Sequence, residues 1–177
     1  MRVYVPMTVT ALARLHEDSG YGGTVWTAHA VTPALREWYA GSDTEELEHA
    51  AFLDAERSAL RLLAGEPGTP RVRVVLSADV PDDTTVVAGE DGDERSVVLC
   101  HGDLPLDAVA SVHVDEQEAQ SDVSAAVDAL AAAAAGDDDA QFAVDGAEAH
   151  DLLWYDVSEL GDLVADLLDR YGEGDDR

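Results

Sequence analysis

Lysine is absent from this sequence, and arginine supplies all ten of the basic residues set against 38 acidic ones. The formal net charge is −28 over 177 residues. Phosphate backbones and anionic membranes are held by clustered cations, so this balance argues against a direct nucleic-acid binder and against membrane attachment. A lone cysteine, Cys100, excludes an internal disulfide and any multi-cysteine metal site. Long apolar runs are missing as well. The stretch 130–135 is apolar but brief, well short of the roughly 20 residues a membrane span needs. Residues 1–7 are too few, and Pro6 interrupts them too soon, for a signal peptide. The expectation is a soluble, cytoplasmic chain.

Hydrophobic residues make up 46% of the chain, enough for one sizeable core. The missing lysine beside abundant Ala, Val, Asp and Gly fits GC-rich coding; salt adaptation or a dedicated acidic function such as DNA mimicry would also produce it.

The chain is organised around residues 24–39, a strand that turns straight into a helix. Thr32 is placed to cap that helix, and Pro33 suits its first position, where a missing N–H costs nothing. Two of the three Trp residues lie here. Around this unit, Val3 and Val5 share one face of a short strand with Tyr4 on the other, and Thr8 caps a helix over Val9, Leu12 and Ala13. Gly20, Gly22 and Gly23 read as the turn that follows. Ser42 and Glu45 have capping-box spacing, and the long helix behind them carries Leu47, Ala51, Ala55 and Ala59.

Residues 71–80 alternate as a strand with Val72, Val74 and Leu76 inward, and 95–100 read as its antiparallel return. The acidic stretch 81–94 between them reads as a surface loop. Leu104–Val109 suits a helical turn and Ser111–Val114 a strand. Asp115 and Glu118 repeat the cap pattern before the stripe Val123, Ala126, Val127 and Leu130. Asp137–Asp139 reads as a solvated turn, Leu152–Tyr155 as a buried strand. Asp156 and Glu159 then open a last helix striped by Leu160, Leu163, Val164 and Leu167. The sum is a single α/β domain over 1–171: a mixed sheet of about five or six strands with packed helices, and a flexible acidic tail at 172–177.

The segments Val3–Pro6, Ala30–Tyr39, Leu104–Asp115, Glu45–Glu48, Ser58–Leu63 and Leu152–Tyr155 resemble an uncharacterised actinobacterial family of short acidic proteins, a domain of unknown function. The resemblance covers nearly all of the chain outside its acidic loops. It implies a high-GC actinobacterial origin and carries no assigned catalytic residues.

Chemistry-bearing residues are few. Glu46-Leu-Glu-His49 has the Glu-x-x-His spacing of carboxylate-bridged metal sites, which need a second such pair that is missing here; it reads as a solvated face. Cys100 and His101 are consecutive in a strand and so point to opposite faces, which separates thiol from base. His29 shares a strand face with Val25, Thr27 and Val31 and reads as a hydrogen-bonded core or boundary residue; His113 is similar. Arg36 lies one turn past Thr32, near a helix start suited to an anion. Leu35, Trp38 and Tyr39 fall on one side of the helix, where Trp38 is expected to pack into the core, the alternative being a half-exposed anchor for a partner. No phosphate-binding glycine loop, nucleophile elbow or metal motif occurs, and neither cofactor nor metal is expected. The reading is a non-enzymatic binding or accessory protein with a protein partner, acting through its acidic surface or aromatic helix. Its tentative binding residues are His29, Thr32, Arg36, Trp38 and Tyr39. The alternative is a small-molecule enzyme whose site gathers at the strand-to-helix turns near Thr8, His29, Thr32 and Arg36.

Overall fold

A computed structural model describes residues 1–89 and 94–172. Its strands are β1 (Arg2–Met7), β2 (Gly20–Ala30), β3 (Val74–Asp79), β4 (Thr85–Val87), β5 (Val97–Pro105), β6 (Val109–Asp115) and β7 (Leu152–Asp156). The helices are α1 (Val9–Asp18), α2 (Pro33–Trp38), α3 (Thr44–Gly65), α4 (Gln120–Ala134), α5 (Asp138–Glu148) and α6 (Leu160–Tyr171). The chain is the expected single α/β domain. Its sheet has seven strands in the order β4-β5-β2-β1-β3-β6-β7, and every pairing is antiparallel, which corrects the expected mixed sheet of five or six strands.

Strand alternation sorts the side chains onto two faces. Val3, Val5, Val74, Leu76, Val98 and Val112 meet α1 and α6 through Val9, Leu12, Leu15, Leu160, Leu163 and Leu167 in the main core. Tyr4 and Val75 look the other way and pack under Leu35 of α2 and Leu47, Ala51 and Ala55 of α3. Behind α3, its Leu60 and Leu63 meet Val123, Ala126 and Ala147 of α4 and α5 in a third cluster.

Several elements differ from the sequence expectation, each for a physical reason. Residues 95–100 do not return along 71–80: β5 pairs with β2 and β4, while β3 lies between β1 and β6. Alternation marks a strand but not its partner. Part of the expected loop 81–94 is ordered, since Thr85–Val87 adds to β5 as an edge strand; residues 90–93 lie outside those described. Gly20, Gly22 and Gly23 belong to β2. Gly22 has φ +133°, and a Cβ there would stand 3.1 Å from the Trp26 ring, whose Nε1 donates to the Gly102 carbonyl at 2.7 Å. Glycine is therefore kept at Gly22 for close approach as well as for backbone freedom. The solvated turn at Asp137–Asp139 is the start of α5, with Asp137 accepting from the Ala140 N–H. The sequence hides that helix because Val144 and Ala147 are its only buried residues. The capping box of α3 uses Asp43 and Glu46, one residue beyond Ser42 and Glu45. Leu153 and Trp154 are exposed on β7 because that strand is an edge. The tail expected from 172 lies, from 173 on, outside the described residues.

Asp115 is not a helix cap. Its carboxylate grips the guanidinium of Arg73, which is fully buried: Arg73 Nη2 and Nε donate to Asp115 Oδ1 at 2.7 and 2.9 Å. The Arg73 backbone N–H donates to Asp115 Oδ2 at 2.6 Å. Nη1 reaches Glu56 of α3 at 3.2 Å, and Nη2 also donates to the His150 carbonyl at 2.9 Å. Burial pushes the Glu56 carboxyl up to about 7, with Arg73 pulling it back down and Asp115 adding to the rise. Removing one partner of such a pair leaves an uncompensated charge in the interior. Asp115→Ala should therefore cost about 3–5 kcal/mol in urea denaturation; a loss below about 1 kcal/mol would show that the pair does not hold the fold together.

Candidate functional site

The strand-to-helix residues do not form one site. Thr8 caps α1, accepting from the Ala11 N–H at 3.2 Å. Thr32 caps α2, accepting from the Leu35 N–H at 3.1 Å and donating to the Arg95 carbonyl. Val3 pairs with Ala30, so Thr32 lies beyond the Arg2 end of β1 and Thr8 beyond the Met7 end. Arg36 is exposed in the last turn of a six-residue helix. Trp38 corrects the core expectation: it is 61% exposed, with the Arg95 guanidinium 3.8 Å above its ring. Tyr39 is exposed beside it. Of the three side chains expected on one buried side, only Leu35 is covered, because the chain turns away at Gly41 into α3.

His29 is buried and held at both nitrogens. Ser96 Oγ donates its one proton to Asp54 Oδ2 at 2.6 Å. It must therefore accept at 2.8 Å from His29 Nδ1–H, which leaves Nε2 to accept from the Ser58 hydroxyl at 2.8 Å. The network ties α3 to β2 and to the turn before β5. Burial, with Arg61 nearby, lowers the imidazole to about 4, so it is neutral and a weak base. Cys100 is fully buried opposite Trp26 while His101 on the next position is exposed. Burial also raises the Cys100 thiol to about 11.

A cleft forms elsewhere, between the first two turns of α3 and the neighbouring sheet face. Its floor is two rows of the sheet. Tyr4 pairs with Ser77, which pairs with Ser111. Val75 pairs with His113, which pairs with Trp154 of β7. Its roof is Glu45, Glu48, His49 and Phe52, spaced to share one face of α3. The cleft is open to solvent, with a volume of about 440 Å³. The Phe52 ring stands edge-on to Tyr4 at 5.6 Å and to His113 at 4.7 Å. His113 Nε2 lies 3.0 Å from Ser111 Oγ and 3.3 Å from Ser77 Oγ, and burial lowers its pKa to about 4. Trp154 is 59% exposed at the mouth.

Polar groups in the cleft are left unspent. Tyr4 is 7% exposed as a residue, and its hydroxyl, which makes no hydrogen bond to another described residue, is reached by solvent from the cleft. Burial, reinforced by Glu48, raises that phenol to about 12, so it keeps its proton. Glu45 and Glu48 form no ion pair with another described residue, whereas Arg2 at the rim is already bound to Asp79 by two bonds of 2.8 Å. The capping-box shift matters here. Because Glu46 closes the cap, Glu45 is free to face the cleft. A larger depression of about 870 Å³ lies between α1, α4 and α6, but its one charged side chain, Arg71, is engaged by Ser124 and Asp128. Sequence reasoning missed the cleft because its residues come from five separated elements. Trp154 and His113 were visible only as strand residues.

Fold and cleft together describe an α/β protein with an aromatic, acid-rimmed site on one sheet face. The chain belongs to a family of unknown function, DUF6912, whose model matches residues 1–164. No curated protein and no solved structure matches it.

Two measurements check these placements. Trp38→Ala should cost about 1 kcal/mol or less in urea denaturation, the scale of an exposed cation–π contact; a loss of about 3–5 kcal/mol would restore it to the core. The His29 shift sets a pH dependence. The unfolded imidazole titrates near 6.5 and the folded one near 4, so between those values the unfolded state binds more protons and stability falls with falling pH. The full effect is about 3 kcal/mol at most. His29→Gln should lessen the decline between pH 6.5 and 4, to which His113 contributes with the same sign and Glu56 with the opposite one; an unchanged slope would remove His29 as a source of it.

Proposed function

We propose that this is a non-enzymatic, cytoplasmic binding protein that takes a cationic group, an ammonium or guanidinium on an apolar stem, into the cleft under α3. The Tyr4 hydroxyl carries this reading: it makes no hydrogen bond to another described residue and opens to solvent in the cleft, where a ligand N–H can take the place of water. The remaining groups select the ligand's sign. Trp154, Phe52 and Tyr4 offer aromatic surface, and Glu45 and Glu48 offer carboxylates that form no ion pair among the described residues. The net charge of −28 adds a long-range field that draws cations and repels anions. Binding is preferred to catalysis at the strand-to-helix turns because Thr8 and Thr32 sit at opposite ends of β1 and His29 is a weak base.

Isothermal titration with arginine amide and butylammonium as probes, against acetate as control, tests the reading. Both cations should bind and acetate should not. A cation–π contact is worth about 0.5–2 kcal/mol, so Trp154→Ala should weaken binding by about 3- to 30-fold, and Glu48→Gln should reduce the salt dependence. Equal affinity for acetate, or binding indifferent to Trp154 and Glu48, would overturn it.

A further inference from the structure

Among the described residues strand β7 is hydrogen-bonded to β6 alone, so the outward N–H and C=O groups of alternate residues along Leu152–Asp156 have no described strand beside them. Sheet edges in soluble proteins are commonly blunted by lysine, proline, a bulge or a short length. The opposite edge, β4, is three residues long and sits close behind Pro81 and two aspartates. β7 has no lysine, proline or bulge, and its only charges are the aspartates at its two ends. It pairs with β6 over five residues without a register shift and presents Leu-Leu-Trp-Tyr, with Leu153 45% and Trp154 59% exposed. Only Asp151 and Asp156 bound it.

From this geometry we infer that β7 is a docking edge for an extended, basic segment of a partner protein, which adds to the sheet as a further strand and lays a cationic side chain across Trp154 into the cleft. The inference rests on the cleft reading and names its ligand as part of a protein. Register supplies the detail. Trp154 is the cross-strand neighbour of His113 and shares its sheet face. A residue added opposite Trp154 would lie about 4.8 Å further out and point to that same face. From there an arginine or lysine stem can cross the Trp154 ring with its charge toward Glu45 and Glu48. The residues on either side would point to the other face, beside Leu153, and are expected to be apolar. The recognised pattern is thus a basic residue flanked by apolar ones in an extended chain, held by main-chain bonds with specificity from one pocket. Charge selects this occupant over a second copy of the chain. Joining two β7 edges would bring together two molecules of net charge −28 and put no cation in either cleft.

The test uses the full chain and a short peptide of alternating valine and threonine with one central arginine. Arginine amide probes the cleft alone, and the same peptide N-methylated on the amides of one edge probes strand addition. The peptide should bind at least about tenfold tighter than arginine amide, and N-methylation should remove that gain. Leu153→Lys, an exposed substitution whose folding is checked by circular dichroism and thermal midpoint, should weaken the peptide about tenfold while leaving arginine amide unaffected. Equal binding of methylated and unmethylated peptide would overturn strand addition and leave the cleft reading standing. Equal binding after the central arginine is replaced by glutamate would overturn the cationic contact. Sedimentation showing a dimer that Leu153→Lys dissolves would assign the edge to a second copy and overturn the inference.

Discussion

One buried guanidinium organises the functional side of this molecule. Arg73 precedes β3, Asp115 ends β6, Glu56 lies mid-way along α3, and the His150 carbonyl belongs to the turn that leads into β7. Four separate pieces of chain therefore converge on one charge. A guanidinium cannot shed its proton, so in a dry interior it must be met by carboxylate and carbonyl oxygens. Two carboxyls share one cation, which is why burial can hold Glu56 near 7 while Asp115 takes the paired, bidentate role. The geometric result is that β7 is held beside β6 and α3 is held over the same sheet face. The cleft is the space left between them.

The two faces of the sheet divide the labour. The face under α1 and α6 is apolar and mostly aliphatic, with Val3, Val5, Leu76 and Val112 packed against leucines and Trp26 at its side. The α3 face carries His29, Ser77, Ser111 and His113 among its apolar residues. Buried polar groups are tolerated only when hydrogen-bonded, and here they are: His29 by Ser58 and Ser96, His113 by two serines. The Tyr4 hydroxyl, which makes no such bond among the described residues, is not buried but open to the cleft.

How much of this could be read from the sequence depends on the range of the interaction concerned. Local signals worked. Thr32 with Pro33 starts α2, Asp156 with Glu159 forms a capping box before α6, and the leucine stripe of α6 packs as its periodicity demands. Signals whose meaning depends on a distant partner failed. The Asp115 pattern looks like a cap, but its carboxylate is taken by an arginine 42 positions away. Trp38 lies on the same helix side as Leu35, yet a helix of six residues buries only what the next turn leaves under α3. Strand partners are long-range in the same sense, so the strands were visible and their order was not. The cleft was illegible for this reason, since neither the Tyr4–Ser77–Ser111 row nor the His113–Trp154 pair exists until the order is set.

Acidity and the bare edge of β7 then explain one another. An apolar, unbulged edge invites pairing with another copy of itself, and the usual guards are absent from Leu152–Asp156. A chain with net charge −28 has a different guard, because each copy repels the next over the Debye length of about 8 Å at physiological salt. That guard acts on sign, not on strand shape, and so leaves the edge open to any extended chain of opposite charge. Lysine on the edge would have blocked self-pairing too, but it would have placed a cation beside Trp154, where the cleft has aromatic rings and the carboxylates of Glu45 and Glu48. On the reading proposed above, the absence of lysine leaves β7 available and the site beside it selective for positive charge.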